Sequence, residues 1–415
     1  MTDMFFALQN GREIPKEDKI FGISNRAKAM IATAGKDKVV NATIGALMDD
    51  EGRLMVLSSV SEIFKTLDLA ECAEYAPIAG TAGFREAVKK DMLRSFVPQR
   101  HVEAVASPGG TGALKNAISN YSAPGDSVLV ADWYWGPYKT IAQEHGRRLE
   151  TFRMFDEQGR FDVASLAKKI NELLARQDSL VLILNTPAHN PTGYAMDSQD
   201  WQLVGAVLEQ VDGNKKVALV ADAAYIDFAG DEEESRSFLR FLDVMPENVL
   251  PLVAHSLSKS YTLYGMRCGA LICLAKNEQE AEEFKKVCEF SSRGSWSNCA
   301  RGPQVILQKI YEDPQLLQKV ADERRGFREM LLRRGGAFKA AADESGLEMV
   351  PFHGGFFATV PCQEPDRLSA ELEKQGIFVV PFTKGIRVSL ASVREEKCAE
   401  LPAIIKKTLC AKNLL

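Results

Sequence analysis

The stretch VLPLVAHSLSKSYTLYGMRCG, residues 249–269, joins an apolar run to a group of small hydroxyl residues around a lysine. The apolar run predicts a strand, and Ser256, Ser258 and Lys259 follow its end. A lysine that is partly buried at a strand end can lose its proton and attack a carbonyl, so Lys259 is a candidate Schiff-base lysine. Arg267, eight residues further on, could hold a phosphate through two hydrogen bonds. The same string is also common in solvated loops, so its meaning depends on the segments around it.

Outward from this stretch, short apolar runs alternate with helical patterns. Strands are predicted at 102–106, 127–131, 149–153, 180–184, 216–220, 250–254 and 269–274. Helices are predicted between them at 113–121, 138–145, 163–175 and 200–211. Runs such as VLILN and VALVAD are apolar throughout, which is typical of strands covered on both faces. The pattern predicts an α/β fold, with a mostly parallel sheet sandwiched by helices.

The flanking segments follow a different pattern. Before the sheet we expect helices at 24–33, 58–67 and 84–94 and a strand at 38–45. After residue 304 we expect a long charged helical stretch at 314–345, strands at 356–360, 377–380 and 385–390, and a last helix at 392–409. This tail predicts a second, smaller α+β domain, because a chain of 415 residues is too long for one compact core.

Composition excludes several classes of protein. The net charge of −5 provides no field that would recruit nucleic acid or an anionic membrane. No apolar run approaches the roughly 20 residues of a membrane span, and no basic segment followed by a cleavage site marks a signal peptide. Eight cysteines without a CxxC pair predict reduced thiols in a cytoplasmic protein and no metal site.

Glycines and aromatic residues follow two of the predicted strands, at the edge where sheets of this kind bind ligands. Gly110 and Thr111 lie in GGTG at the start of a helix, where free N–H groups can hold a phosphate. A plain tight turn would have the same sequence. Trp135 lies in WYWGPY, which suits stacking on a flat ring and equally suits aromatic packing under a loop.

Polar and charged residues follow the other strands. Asn190 lies in HNPTG, and its amide can face the crevice. Asp222 and Tyr225 follow a buried strand, where an acid either caps a helix or needs a partner such as a protonated ring nitrogen. Arg387 lies in an apolar strand, which indicates an anionic partner. Arg293, in SSRGSWSN, binds an anion or is an exposed charge at a helix end.

This set of residues suits one ligand that carries a phosphate, a flat ring with a protonatable nitrogen and an aldehyde. Pyridoxal 5'-phosphate has all three groups. In order and spacing, the motifs resemble those of the fold-type I, class I aminotransferases that use this cofactor, within them the aspartate and aromatic amino acid subgroup. The resemblance covers nearly the whole chain, and it rests on the joint order of the motifs rather than on any one of them.

The resemblance implies a role for each cofactor motif. Lys259 is expected to bind the cofactor covalently, and Asp222 to meet its ring nitrogen. Tyr225 and Asn190 are expected at the phenolic oxygen, and Trp135 against the ring. The phosphate is expected to be held by Gly110, Thr111, Ser256 and Arg267, together with Tyr75 from the neighbouring subunit.

The same resemblance assigns the substrate residues. Gly45 is expected over the substrate beside Asn190, and Arg387 at its α-carboxylate. Arg293, donated by the partner subunit, is expected to bind the distal carboxylate of aspartate or glutamate. Because two residues come from the other subunit, the protein is expected to be an obligate homodimer. The family's layout implies a large domain at 55–310 and a small domain of 1–54 plus 311–415 that includes the N-terminal arm.

The expected activity is amino transfer, in a ping-pong cycle, between an aspartate- or glutamate-like or aromatic L-amino acid and a 2-oxo acid such as 2-oxoglutarate. A C–S lyase and an aspartate decarboxylase on the same fold are alternatives. A non-catalytic regulator is a third, although too few residues precede the first core strand for a DNA-binding module. Two departures from the family pattern are Cys299-Ala300, in place of prolines, and the poor match of 9–37, which leaves the entrance to the site undefined.

Overall fold

The computed structural model of the protein describes residues 6, 11–15 and 17–414. Within these residues the strands are β1 (Val40–Asn41), β2 (His101–Ser107), β3 (Ser127–Ala131), β4 (Arg148–Phe152), β5 (Ser179–Asn185), β6 (Lys216–Asp222), β7 (Val249–Ser256), β8 (Gly269–Ala275), β9 (Phe357–Pro361), β10 (Ile377–Phe378), β11 (Val380–Phe382) and β12 (Gly385–Ser389). The α-helices are α1 (Lys19–Ala34), α2 (Ser58–Thr66), α3 (Leu69–Ala73), α4 (Ala82–Leu93), α5 (Gly109–Tyr121), α6 (Pro137–Glu144), α7 (Val163–Leu174), α8 (Ser198–Glu209), α9 (Leu239–Leu242), α10 (Leu257–Ser260), α11 (Glu278–Ser295), α12 (Arg301–Glu312), α13 (Pro314–Ser345), α14 (Pro365–Glu373) and α15 (Glu395–Lys412). Short 3-10 turns lie at Lys36–Lys38, Ile226–Phe228, Glu234–Arg236 and Leu390–Ser392.

Seven strands form the central sheet, in the order β2-β8-β7-β6-β5-β3-β4. β8 pairs antiparallel with both β2 and β7, whereas the pairs from β7 to β4 are parallel. The predicted mostly parallel sheet between helices is confirmed, with one reversed strand. Because β8 is reversed, its amino end lies beside the carboxyl ends of its neighbours β2 and β7.

The central sheet is buried on both faces. Val128 of β3 belongs to an apolar cluster that includes Leu114 of α5, on one face of the sheet. Leu129, the next residue, belongs to a second cluster that includes Trp201 of α8. Successive side chains of a strand point to opposite faces. Both faces therefore require apolar residues, which explains why these strands lack an alternating pattern.

A second group of strands lies outside the central sheet. β11, β12 and β9 form an antiparallel sheet in that order, and β1 pairs with β10 in parallel. A separate apolar cluster includes residues of β9, β12, α13 and α15. The strand predicted at 38–45 is only two residues long, Val40–Asn41. Beyond its end, the carbonyl groups of Thr43 and Gly45 accept hydrogen bonds from the side chains of Arg387 and Lys259.

The long helix α13 agrees with the predicted charged stretch. Asp313 caps its first turn by accepting hydrogen bonds from two backbone N–H groups, and Pro314 occupies the first helical position. It ends at Gly346, whose φ of 62° is left-handed. Helices α11 and α14 and the short helices α3, α9 and α10 were not predicted from the sequence. α11 buries only Phe284, Cys288 and Ser292, so its apolar stripe is narrow. None of the helices in the described ranges combines the length and apolar character needed to cross a lipid bilayer.

Candidate active site

The residues predicted from the sequence meet at one edge of the central sheet. The carboxyl ends of β2, β3, β5, β6 and β7 lead into the segments that carry Gly110, Trp135, Asn190, Tyr225 and Lys259. Arg267 precedes the reversed strand β8 and so reaches the same edge. Gly269 of β8 pairs with Ser107 of β2 and with Ser256 of β7, which brings three strand ends side by side. The site is thus assembled from segments distant in sequence.

Lys259 lies in the one-turn helix α10, directly after β7. Its Nζ donates a hydrogen bond to the carbonyl oxygen of Gly45 at 2.9 Å and lies 4.8 Å from the ring centre of Tyr264. Burial, together with the positive charges of Arg267 and Arg387, lowers the pKa of Lys259 to about 7. Near neutral pH a large share of this amine is therefore uncharged and able to attack a carbonyl.

Asp222 is the last residue of β6 and is 4% exposed. Its Oδ2 accepts a hydrogen bond from the Tyr138 hydroxyl at 2.5 Å, and its Oδ1 accepts one from the Ala224 backbone at 3.2 Å. Burial raises the pKa of Asp222 to about 6, against the opposing effect of these two hydrogen bonds. A cation brought beside this buried carboxyl group, such as a protonated ring nitrogen, would favour its charged form.

An anion cradle is formed by the first turn of α5 and the segment before β8. Gly109 and Gly110 begin α5, where the first backbone N–H groups of a helix can bind an anion. A Cβ at Gly109 would lie 2.7 Å from Nη2 of Arg267, so only glycine allows this close approach. Arg267 has a φ of 50° and donates to Oγ of Ser258 at 3.1 Å. With Ser256 bordering Gly110, the donors in this cradle fit a phosphate group.

Arg387 of β12 is 2% exposed and faces the same site. It donates to Oδ1 of Asn190 at 3.0 Å and to the carbonyl oxygen of Thr43 at 2.8 Å. Its guanidinium carbon lies 4.1 Å from the ring centre of Phe357. These partners are neutral, and its Nε has no hydrogen-bond partner among the described residues. A guanidinium buried without a negative charge beside it is suited to a ligand carboxylate.

Three more of the predicted residues lie near this pocket. Tyr225 is 6% exposed, its ring centre is 5.0 Å from that of Phe356, and burial raises the pKa of its hydroxyl. Trp135 is partly buried, and its ring meets that of Tyr138 edge-on at 5.5 Å. Thr111 is exposed in the first turn of α5.

Tyr75 and Arg293 lie on the surface of the single chain. Tyr75 is 84% exposed in the loop between α3 and α4. Arg293 is exposed in the last turn of α11 and donates to Oγ of Ser297 at 2.7 Å. No hydrogen bond or ion pair joins either residue to Lys259 or Arg387 within the described part of the chain. Their expected contributions from a partner subunit remain predictions.

Three side chains of the site were not predicted: Tyr138, Asn185 and Tyr264. Oδ1 of Asn185 accepts a hydrogen bond from the backbone of Asn190 at 2.6 Å, and its Nδ2 donates to the backbone carbonyl of Asp222 at 2.8 Å. A signal was present, since Asn185 is the polar end of the apolar run VLILN and Tyr138 ends the aromatic run WYWGPY. Such a run does not predict which of its polar side chains faces the site.

The comparison with known families gives one match that spans most of the chain. The family model described as aminotransferase class I and II matches residues 37–405. A mitochondrial aspartate aminotransferase of Schizosaccharomyces pombe is 30% identical over 327 residues, which are 76% of this chain and 70% of that enzyme. An aromatic-amino-acid aminotransferase of Pseudomonas aeruginosa is 28% identical over 368 residues, which are 86% of this chain and 90% of that enzyme.

Solved structures show the same similarity in three dimensions. The crystal structure of an aminotransferase from Anaerococcus prevotii is 35% identical, has a TM-score of 0.94, and covers 97% of this chain and 99% of that one. An aromatic-amino-acid aminotransferase from Burkholderia pseudomallei, covalently bound to pyridoxal phosphate, is 22% identical, with a TM-score of 0.78 and coverage of 97% and 100%. At that identity the second likeness concerns the fold alone.

Proposed function

The chain belongs to the class I and II aminotransferases and transfers amino groups, and from this premise we propose how its own residues hold the cofactor and choose the substrate. We infer that pyridoxal phosphate, on which class I aminotransferases depend, binds at the carboxyl edge of the central sheet. When bound, this cofactor supplies an aldehyde for the amine and a protonated ring that withdraws electrons from the substrate Cα.

The residues around the sheet edge fit each part of that cofactor. The cradle of Gly109, Gly110, Ser256 and Arg267 suits the phosphate, with Thr111 at its rim. Asp222 suits the ring nitrogen, because its buried carboxyl group gains from a neighbouring cation. Tyr225 and Asn190 suit the phenolic oxygen as neutral donors, and Trp135 suits the face of the ring.

Lys259 is the residue proposed to move the proton. With a pKa of about 7, its Nζ is uncharged often enough to remove a proton from the substrate Cα near neutral pH. The carbonyl oxygen of Gly45, 2.9 Å away, orients this amine without giving it a charged partner. While they hold no anion, the positive charges of Arg267 and Arg387 also disfavour its protonated form.

The observation that carries the proposal is a reactive lysine in the same pocket as a buried guanidinium that has only neutral partners among the described residues. An L-amino acid offers an amino group next to a carboxylate. Arg387 would bind that carboxylate through two hydrogen bonds and so present the amino group and Cα to the site.

For the side chain of the substrate we propose aspartate and glutamate, with aromatic amino acids as a further class. The relatives include both aspartate and aromatic-amino-acid aminotransferases, which supports this range. Arg293 is the residue proposed to bind the distal carboxylate, from the partner subunit. Its exposure in the single chain leaves the guanidinium available to a second copy.

We also propose a homodimer with shared sites, in which Tyr75 reaches the phosphate of the partner's cofactor. Tyr75 is 84% exposed, and large apolar side chains at Leu69 and Phe290 are 81% and 83% exposed. Burial of these side chains against a partner would be favourable.

The proposed layout is a large domain at 55–310 and a small domain of 1–54 plus 311–415, of which 1–5, 7–10, 16 and 415 lie outside the described residues. The eight unpaired cysteines support the proposed cytoplasmic location.

The test is a panel of amino donors with 2-oxoglutarate at saturating pyridoxal phosphate, together with the Lys259→Ala variant. We expect the unchanged protein to form a keto acid from aspartate in preference to aromatic donors. Lys259→Ala should lose both turnover and cofactor that borohydride can trap on the protein. Retained turnover in this variant would overturn the proposed role of the lysine.

The same assay separates the alternatives on this fold. A C–S lyase would release pyruvate from a thioether substrate, and a decarboxylase would release CO2 from aspartate. A regulator would bind the cofactor without producing keto acid. The aminotransferases among the relatives do not favour any of these.

A further inference from the structure

The hydroxyl group of Tyr138 donates a hydrogen bond to the carboxyl group of Asp222. We propose that Tyr138 is a positioning residue that keeps Asp222 ionised and aimed at the ring nitrogen of the cofactor. This inference rests on the proposed function, and it assigns a role to a residue that the amino-transfer chemistry does not by itself require.

The position of Tyr138 is fixed by its surroundings. It is 1% exposed and lies in the first turn of α6, where its backbone N–H donates to the carbonyl of Trp135 at 3.0 Å. Its ring meets the ring of Trp135 edge-on. The hydroxyl therefore has little freedom to turn away from Asp222, which accepts its hydrogen bond at 2.5 Å. A donor held rigidly at this distance fixes the direction of the carboxyl oxygen.

The chemistry of a phenol suits this role. Burial, and then the negative charge of Asp222, raise the pKa of Tyr138 well above its usual range, so the hydroxyl stays protonated and donates. Tyr225, which also lies near Asp222, stays neutral for the same reason of burial. Asp222 thus gains a strong donor without a competing positive charge, and the cofactor nitrogen is left as the cation that its carboxylate meets.

Asn185 keeps the backbone of Asp222 in place independently of Tyr138. Its side chain joins the carbonyl of Asp222 to the backbone of Asn190, and Asn190 in turn accepts a hydrogen bond from Arg387. Strand β6 is also paired on both sides, with β5 and β7. Removing the phenolic oxygen should therefore change the charge state of Asp222 rather than the path of the chain.

The experiment measures the affinity of the full-length apoenzyme for pyridoxal phosphate, by absorbance and fluorescence, between pH 5.5 and 8.5. Tyr138→Phe keeps the ring but removes the hydroxyl that donates to Oδ2 of Asp222. We expect binding that is about 10- to 100-fold weaker at neutral pH, the range for losing a hydrogen bond to a charged group. The pH below which binding weakens should also move upward, because Asp222 then protonates more readily.

Two comparisons make the result decisive. Tyr121→Phe removes the buried hydroxyl of a partly buried tyrosine at the end of α5, away from Asp222, and should leave both affinity and pH profile unchanged. In the Asp222→Asn background, Tyr138→Phe should have no further effect, since the charge it acts on is gone.

Unchanged affinity in Tyr138→Phe would overturn the inference, as would an equal loss in the Asp222→Asn background, which would indicate a packing role. Both outcomes leave the proposed function intact. Failure of the unchanged protein to bind pyridoxal phosphate at all would overturn the proposed function and this inference with it.

Discussion

At the scale of single residues, the site contains two cationic side chains with different roles, the partly buried Lys259 and the buried Arg387. Burial lowers the pKa of Lys259 to about 7 and that of Arg387 to about 10. The lysine can therefore give up its charge at neutral pH, whereas the arginine cannot. The first becomes a nucleophile and base, and the second remains a positive charge that needs an anion. Both roles can occur in one pocket because the unperturbed pKa of arginine is much higher than that of lysine.

We predict that Arg387→Met and Arg387→Lys lower kcat/KM by at least about 100-fold, mainly through KM, since a charged pair to the substrate is lost. Lysine should not restore binding, because it lacks the planar pair of donors that fits a carboxylate. Thermal stability of the Arg387→Met apoenzyme should hold or rise, since a buried unpaired charge is removed. Arg367→Met, on the exposed face of α14, is the control. A loss of less than about threefold in kcat/KM would contradict the assigned role.

At the scale of elements, a buried charge cluster ties helices to the site. Asp91 of α4 lies 2.9 Å from Arg94 and 2.9 Å from Nε2 of His255, the residue before Ser256 on β7. Arg324 of α13 lies 3.3 Å from Asp227, in the 3-10 turn that follows Tyr225. The cluster thus connects α4 and α13 to the two segments that carry Tyr225 and Lys259.

We predict that Asp91→Asn lowers the stability of the apoenzyme by about 3–5 kcal/mol, because the buried Arg94 loses its nearest charge partner. Burial alone would raise the pKa of Asp91, but Arg94, His255 and Arg324 hold it well below its usual range. Its stabilising effect is therefore present above about pH 4 and is lost as the pH falls further. Denaturant unfolding at pH 7 is the measurement.

Asp322→Asn is the control for this change, because Asp322 also pairs with an arginine, Arg325, but on the exposed surface of α13. We expect it to change stability by less than about 1 kcal/mol. Similar losses of stability in both variants would show that the buried cluster contributes no more to the free energy of unfolding than an exposed ion pair.

At the scale of the whole molecule, the site in a single chain lacks the residue proposed to choose the substrate side chain. Arg293 and Tyr75 are both exposed, and the hydrogen bond recorded for Arg293 is local. A symmetric dimer would give each site the same residues from its partner. Substrate choice would then be a property of the assembly rather than of one chain.

We predict that two impaired variants restore each other when their subunits are exchanged. Lys259→Ala has no base, and Arg293→Ala should raise the KM for aspartate far more than the KM for phenylalanine. A hybrid dimer has one site with Lys259 from one chain and Arg293 from the other. Random mixing should recover about a quarter of the unchanged aspartate activity, since half of the dimers are hybrids with one complete site.

The matched control mixes Lys259→Ala with Arg387→Met. Both residues serve the site of their own chain, so no hybrid site is complete and no activity should return. Recovery in this control, or none with Arg293→Ala, would contradict the proposed exchange of residues between subunits.

Much of this arrangement can be predicted from the sequence because the signals are local. Fully apolar runs between helical patterns give the parallel sheet, and the position of a polar residue after a strand places it at one edge, as with Asp222 and Lys259. The reversed direction of β8 is not predictable in this way, because a strand buried on both faces has the same composition in either direction. That reversal is what brings Arg267 to the edge.

The sequence by itself determined the class of fold and predicted the cofactor chemistry and the residues proposed to bear it, since these depend on residue type and order along the chain. Only the tertiary structure decided the electrostatics of the site, since a pKa depends on burial and on charges brought near from distant segments. Burial and then the nearby charges of Arg267 and Arg387 lower the pKa of Lys259, and Asp222 accepts a hydrogen bond from Tyr138 because α6 places that tyrosine beside it. Neither proximity can be predicted from the sequence alone, because these residues lie far apart along the chain.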